Sequence, residues 1–350
     1  MEVVIGVDAH KQTHTFVAAD ELGRQVASTT LPATSDGHLA ALRWAADWPQ
    51  RRWAIEDCRH LTRRLERDLI AAGQRVVRVP TQLMAGARQA SRQRGKSDPI
   101  DALAVSRAAW REPDLPVAQL DGPTRELRLL VDHRDDLVAE RTRLQNRLRW
   151  HLHELDPELK IKPRGLKLHH VVATVTAFLD GRHELLAEIA REHVERIAQL
   201  NARTVELERQ ITRDVAHIAP ALLAIYGCGA LTAAKIVGET AGANRFRSKS
   251  AYARWNGTAP IPAWTGNATR FRLNRGGNRQ VNAALHRIAI TQARGPSPGN
   301  AYLAKRINNG NTKAEAIRLL RRRLSDVVYR ALLSDEHSLT RTPTTTIALT

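Results

Sequence analysis

The stretch VVIGVDA, residues Val3–Ala9, is a short apolar run that carries a carboxylate, Asp8, near its end. An apolar run of this length reads as a β-strand. HTFVAAD, His14–Asp20, follows as its hairpin partner, and QVASTTL, Gln25–Leu31, supplies a third strand. Ser35 and Asp36 are caps for a helix from Gly37 to about Asp47. RRWAIED reads as a fourth strand. LTRRLERDLIAAG is an amphipathic helix stopped by Gly73, and QRVVRVP is a fifth strand. Three antiparallel strands followed by βαβ units predict an α/β domain with a mixed sheet.

That order of elements is the layout of a ribonuclease H-like domain, and it gives the acids a meaning. Asp8 ends the first strand and Glu56 the fourth, and those strands are neighbours in such a sheet. Further on, RGKSDPIDALAVSRAA (Arg94–Ala109) holds Asp98 and Asp101 three residues apart, with Pro99 at the first turn of a helix. Spacing of three places both on one helix face. Arg92, Arg94, Lys96 and Arg107 flank them. Four clustered carboxylates repel one another, and some would protonate unless a cation neutralised them. Two Mg²⁺ ions would do so, and would clamp the attacking and leaving oxygens of a phosphodiester. Any one of these acids alone reads equally as a cap or a surface residue. Asp57 competes with Glu56: strand alternation points the two to opposite faces, and inward Trp53 and Ile55 do not settle which face carries metal.

The middle of the chain is helical. Leu127, Leu130, Leu137, Leu144, Leu148, Leu152 and Leu155 mark one helix. Ile197, Leu200, Thr204, Leu207, Ile211, Asp214 and Ile218 step by threes and fours, which is heptad spacing. With the Pro/Gly turn region DPELKIKPRGLK between them, they predict a long helical hairpin suited to pairing with another protomer, or packed as an antiparallel pair within one chain. Beyond Pro220, LLAIYGCGALTAAKIVGETAG has the form of a helix-hairpin-helix, whose Gly227 and Gly229 would present backbone amides to a phosphate. A plain helix–helix turn has the same form.

Charge points to the partner. The chain of 350 residues carries a formal net charge of +18. Residues 244–333 hold eighteen Lys/Arg against Glu315 and Asp326, a net of +16 from 18 − 2. A solvated face mixes signs, whereas this region would repel itself without a polyanion. TRFRLNRGGNRQ (Thr269–Gln280) is a basic loop in which Arg270, Arg272, Arg275 and Arg279 would hold phosphates. Aromatic residues make up only 4 %, so stacking on aromatic platforms is not the main binding mode. No apolar run reaches the ~18 residues that span a bilayer, and the N-terminus lacks a signal-peptide layout, so a membrane is the weaker partner. Cys58 and Cys228 lie far apart without CxxC spacing, which implies a reducing compartment and no structural zinc. The fourteen histidines form no convincing ligand set; pairs such as His151/His153 and His169/His170 read as packed or solvated. Length favours two domains rather than one. The segments divide as residues 1–115, the metal-binding domain; 120–218, the coiled-coil connector and dimerisation region; 220–335, a mainly helical C-terminal domain; and 336–350, a disordered tail.

IGVDAHK, AIED, KSDPIDALAVSRAA, IYGCGALTAAKIVGE and NGTAPIPAWTGNATRFRLNRGGNRQVNAALHRIA together resemble the insertion-sequence one-ten family of transposases, in the family's order over about Val3–Leu333. The resemblance implies a RuvC-like domain whose DEDD acids bind Mg²⁺, and matching the motifs puts these at Asp8, Glu56, Asp98 and Asp101, favouring Glu56 over Asp57. It implies a coiled-coil connector and a C-terminal transposase domain with a serine nucleophile before a glycine, forming a covalent bond to DNA. It implies homodimers or homotetramers, donor and target DNA, a non-coding bridge RNA that pairs with both, and a cytoplasmic, nucleoid-associated location in bacteria. In PAWTGNAT the serine position is Thr265, followed by Gly266. Threonine keeps a hydroxyl, but its methyl makes the nucleophile secondary and stiffens the rotamer. No motif-placed histidine stands out as a base. Two other readings stay open: a junction-resolving metal nuclease with a binding-only C-terminal region, and a decayed copy that only binds nucleic acid.

Overall fold

β1 (Val3–Ala9) lies at the centre of a five-stranded sheet of order β3-β2-β1-β4-β5. β2 (Thr13–Ala19) and β3 (Gln25–Pro32) extend it antiparallel on one side. β4 (Arg51–Glu56) pairs parallel on the other, and β5 (Val76–Val79) pairs parallel with β4. This is the mixed sheet expected from the sequence. In this computed structural model the described residues are 1–57, 59–80, 83–84, 97–112, 115–118, 122–162, 164–265, 268–272, 274 and 276–341.

Alternation along the strands builds two apolar layers. Val3, Ile5, Val7, Phe16, Trp53 and Ile55 pack with Leu65 and Leu69 of α2 (Arg59–Ala71) and Ala41 of α1 (Ser35–Trp44). Val4, Ala54, Val77 and Val79 pack with Ala104, Val105, Ala108 and Ala109 of α3 (Asp98–Arg111). Each fully buried large apolar side chain contributes roughly 1.5–3 kcal/mol. The cap of α1 differs from expectation. Thr34 Oγ1 accepts from the Gly37 amide at 3.2 Å, and Ser35 and Asp36 fall inside the first turn. Thr34 has the extended backbone that a capping hydroxyl needs.

The chain divides into two compact units, Met1–Asp121 with Asn244–Ala251, and Gly122–Ala243 with Tyr252–Thr350. In the second, α4 (Pro123–Leu155) and α6 (Leu185–Ile218) form the long antiparallel hairpin, with α5 (His169–Leu179) packed at its tip. Paired residues such as Arg134 with Glu208 and Arg141 with Asn201 fix the antiparallel register. The buried seam of α6 is Ile197, Leu200, Thr204, Leu207, Ile211, Val215 and Ile218, so Val215 takes the place expected of Asp214. A straight helix of 3.6 residues per turn drifts against a 3.5 repeat, and the drift lets an apolar residue replace a carboxylate. On α4 the buried positions include Arg141 and Gln145 beside the apolar Leu127, Val131, Leu148 and Leu152.

After α7 (Pro220–Leu223) and α8 (Ala230–Thr240) come α9 (Lys249–Trp255), the hairpin β6 (Ile261–Thr265)–β7 (Ala268–Arg272), α10 (Arg279–Arg294), α11 (Pro298–Asn308) and α12 (Lys313–Arg341). The expected tail from residue 336 is helical as far as Arg341, while residues 342–350 lie outside the described residues. Buried contacts hold that end of the helix. Leu332 is buried, and the Asp335 carboxylate accepts from the Ala221 and Leu222 amides at 2.8 and 3.2 Å, satisfying the first turn of α7.

Candidate metal centre

The register of β1 against β4 runs Ile5 to Trp53, Gly6 to Ala54 and Val7 to Ile55. The register ends there, and the residues that follow it on the two strands are Asp8 and Glu56. Asp8 follows Val4 and Gly6 on the α3 face of the sheet, and Glu56 follows Ala54 onto the same face. Asp57 takes the opposite parity. Alternation therefore sets the two acids on opposite faces of the sheet, with Glu56 on the α3 side.

Gly6 sets how close α3 comes. A Cβ there would sit 2.0 Å from the Ala102 carbonyl oxygen and 2.6 Å from the Ser106 amide nitrogen, so helix backbone rests directly on the strand. Asp101 immediately precedes Ala102 and is 7 % exposed. Asp98 lies one turn earlier, in the first turn of a helix that has Ser97 at its cap and Pro beside it. The far end of α3 is anchored. Arg107 Nε donates to the Gly23 carbonyl at 2.8 Å and Trp110 Nε1 to the Ala19 carbonyl at 3.2 Å. The Arg52 guanidinium covers the Trp110 ring at 4.8 Å.

A histidine completes the group. His10 Nε2 lies 3.1 Å from Asp8 Oδ2 and 3.5 Å from Asp98 Oδ1. Its backbone amide donates to the Thr13 carbonyl at 2.9 Å, closing the tight β1–β2 connection. One donor atom from each of Asp8, His10 and Asp98 lies within 4.8 Å of the others. The sequence shows no convincing ligand set among the histidines, whereas the fold sets His10 beside two of the acids. The local signal is D-x-H at a strand end, since His10 directly follows β1 two residues beyond Asp8.

The electrostatics follow from burial and like charge. Burial raises the Asp8 carboxyl above its usual range, the hydrogen bond and charge of His10 draw it back, and Asp101 and Asp98 push it up again. Two carboxylates and an imidazole around one space, with Asp101 close enough to act on Asp8, form a donor set that fits a divalent cation.

Of the other expected site residues, all but Lys96 fall in the second unit. Thr265 is the last residue of β6, its backbone paired with Ala268 across positions 266 and 267. Its side chain, that of Arg270, and all of Lys96, Gly266 and Arg275 lie outside what is described. Arg272 ends β7 and Arg279 begins α10, both exposed. Gly227 has φ +83°, and a Cβ there would lie 3.1 Å from the Thr291 Cβ, whereas a Cβ on Gly229, the residue capping α8, would meet nothing within 4 Å. No helix among the described residues is long and apolar enough to cross a membrane.

Comparison with known proteins adds the relatives. A family model for DEDD transposases of the IS110 type, described as a transposase, matches residues 5–157, and one described as the transposase IS116/IS110/IS902 family matches residues 219–304. The chain is 26 % identical to an insertion element IS116 uncharacterized 44.8 kDa protein of Streptomyces clavuligerus, over 98 % of this chain and 97 % of that protein. It is 25 % identical to an insertion element IS900 uncharacterized 42 kDa protein of Mycobacterium paratuberculosis, over 98 % of each. A probable family 20 transposase of Pseudomonas aeruginosa is 31 % identical over 54 % of this chain and 57 % of its own length. Among solved structures, T. thermophilus RuvC in complex with a Holliday junction substrate matches at 13 % identity and a TM-score of 0.27, covering 34 % of this chain and all of RuvC.

Proposed function

The chain belongs to the IS110 family of transposases, and from that premise we propose that Asp8, Glu56, Asp98 and Asp101 form the DEDD centre for DNA strand cutting and that Thr265 supplies the hydroxyl that attacks. The observation that carries the proposal is the meeting of Asp8 with Asp98 across the β1–α3 contact, one donor atom of each within 4.8 Å of the other, where burial first and then the charges of Asp101 and Asp98 raise the Asp8 carboxyl. A divalent cation held there, Mg²⁺ in this reading and as a pair of ions, supplies Lewis-acid charge to the phosphate oxygens.

The chain's own residues do the rest. Thr265 Oγ1 attacks phosphorus and gives up its proton, and the phosphorus–oxygen bond to the deoxyribose breaks, leaving a free hydroxyl there. A hydroxyl of a second strand then attacks the phosphothreonine, Thr265 is released, and strands exchange without free ends. Arg270, Arg272, Arg275, Arg279 and Lys96 hold phosphates, with the amides at Gly227 and Gly229. Donor and target are paired by a bridge RNA. Residues 1–115, 120–218 and 220–335 act as metal-binding domain, connector and transposase domain. The connector joins protomers into dimers or tetramers at the nucleoid in the bacterial cytoplasm.

The test is covalent trapping. The full chain is incubated with Mg²⁺, bridge RNA and both DNAs, and the adduct is mapped by mass spectrometry. A DNA-linked peptide containing Thr265, absent in Thr265→Ala and in Asp8→Asn, is expected. Cutting retained in Thr265→Ala would mean that water attacks, as in a junction-resolving nuclease. Binding without any cutting by the unaltered chain would leave only the reading of a decayed copy.

A further inference from the structure

We propose that His10 Nε2 is a direct ligand of the divalent cation, so that the centre is a mixed nitrogen–oxygen site and not an all-carboxylate one; this rests on the reading of Asp8 and Asp98 as metal ligands. His10 directly follows the last residue of β1, and its ring lies beside Asp8. The ring nitrogen stands 3.1 Å from one carboxylate oxygen and 3.5 Å from the other. Neighbouring ligands on an octahedral ion, each at about 2.1 Å, lie about 3 Å apart, so these separations suit three donors sharing one cation. The hydrogen bond that the His10 backbone amide donates to the Thr13 carbonyl fixes the backbone from which the ring projects. The side chain is 53 % exposed, which leaves room for water to complete the shell.

A nitrogen ligand changes which ion is held. Carboxylate and water suit Mg²⁺, whereas imidazole strengthens binding of later first-row ions. His10 therefore acts as a specificity determinant: it raises affinity for Mn²⁺ over Mg²⁺, and its loss narrows that preference. It has no need to touch DNA to do so.

Pulsed electron paramagnetic resonance of the full chain loaded with Mn²⁺ tests this without any activity assay. Nitrogen modulation from a directly bound ring is expected in the unaltered protein, changing to the ¹⁵N pattern when histidine is ¹⁵N-labelled. It disappears in His10→Gln, with Mn²⁺ affinity down by at least about tenfold and Mg²⁺ affinity down by less. An unchanged thermal melt of metal-free His10→Gln verifies folding, and the labelling result stands if that variant fails to fold. Mn²⁺ binding that requires Asp8 but shows no nitrogen modulation, or modulation that survives His10→Gln, overturns the ligand assignment and leaves the acidic centre standing. Absence of any Asp8-dependent Mn²⁺ binding overturns the acidic centre and this proposal together.

Discussion

The Ala102 carbonyl oxygen lies 2.0 Å from the place a Cβ on Gly6 would occupy. Strand and helix therefore meet backbone to backbone, and Asp101, the residue before Ala102, is carried down toward Asp8 by that contact. Any side chain at position 6 lifts the helix and pulls the acids apart.

Gly6→Ala should destabilise the protein by about 3 kcal/mol, the upper end for overpacking, because the clashing atoms are main chain and cannot rotate away. Urea unfolding measures this. Among the molecules that remain folded, Mn²⁺ binding should weaken as well. Unaltered stability and unaltered binding would show that α3 does not rest on β1 as described.

Asp8→Asn should stabilise the metal-free protein at neutral pH. Burial and the neighbouring Asp101 and Asp98 make the folded Asp8 carboxyl harder to ionise than in the unfolded chain. The folded state thus holds that proton more tightly, and stability falls as pH rises from the ordinary carboxyl value of 3.8 through the raised folded value. Melting temperatures of the two proteins should converge below pH 3.8 and separate above it, with the variant higher. A variant that melts lower at pH 7 without metal would mean that the His10 hydrogen bond outweighs burial and the neighbouring charges together.

A second pH effect comes from the opposite face of the sheet. His14 is 2 % exposed, its ring is stacked on His38 at 5.4 Å, and its Nδ1 has no hydrogen-bond partner among the described residues. Burial, then the charges of His38 and His10, lower it to about 4 from 6.5. The unfolded chain takes up this proton first, so stability is full above pH 6.5 and is lost as pH falls toward 4. His14→Phe should flatten the loss across that window by up to about 3 kcal/mol, read from urea midpoints at pH 7 and pH 4. Equal losses in both proteins would contradict the assignment.

Much of this architecture is legible in the residues. The run Val3–Ala9 and its neighbours gave strand order and parity because two-residue alternation is short-range and strong. Asp98 and Asp101 fell in the first turn of one helix as their spacing and Pro99 require. The approach of His10 to Asp98 is not legible locally, because Asp98 is distant in sequence and α3 comes down on β1 through the Gly6 contact. Val215 displaced Asp214 because the helical period drifts against a heptad, which a residue-by-residue count does not track. Residues 336–341 read as polar tail, yet the Asp335 cap on α7 is a tertiary bond with no local signature.

Arg272 and Arg279 are exposed in the basic segment, and each is assigned one phosphate. Arg272→Ala and Arg279→Ala should each weaken DNA binding across all sequences alike. Each should also reduce the slope of log affinity against log salt by about 0.9 for duplex DNA. Fluorescence anisotropy over a salt series reads both. A lost affinity for one sequence only, with the slope unchanged, would mark base reading and not phosphate contact.

The most direct measurement is anomalous diffraction from crystals of the full chain soaked in Mn²⁺. A peak between the Asp8 and Asp98 carboxylates, next to Asp101 and Glu56 and lost in Asp8→Asn crystals, is the predicted result. Mn²⁺ bound elsewhere on the chain, with those four side chains left unliganded at saturating metal, would contradict the account.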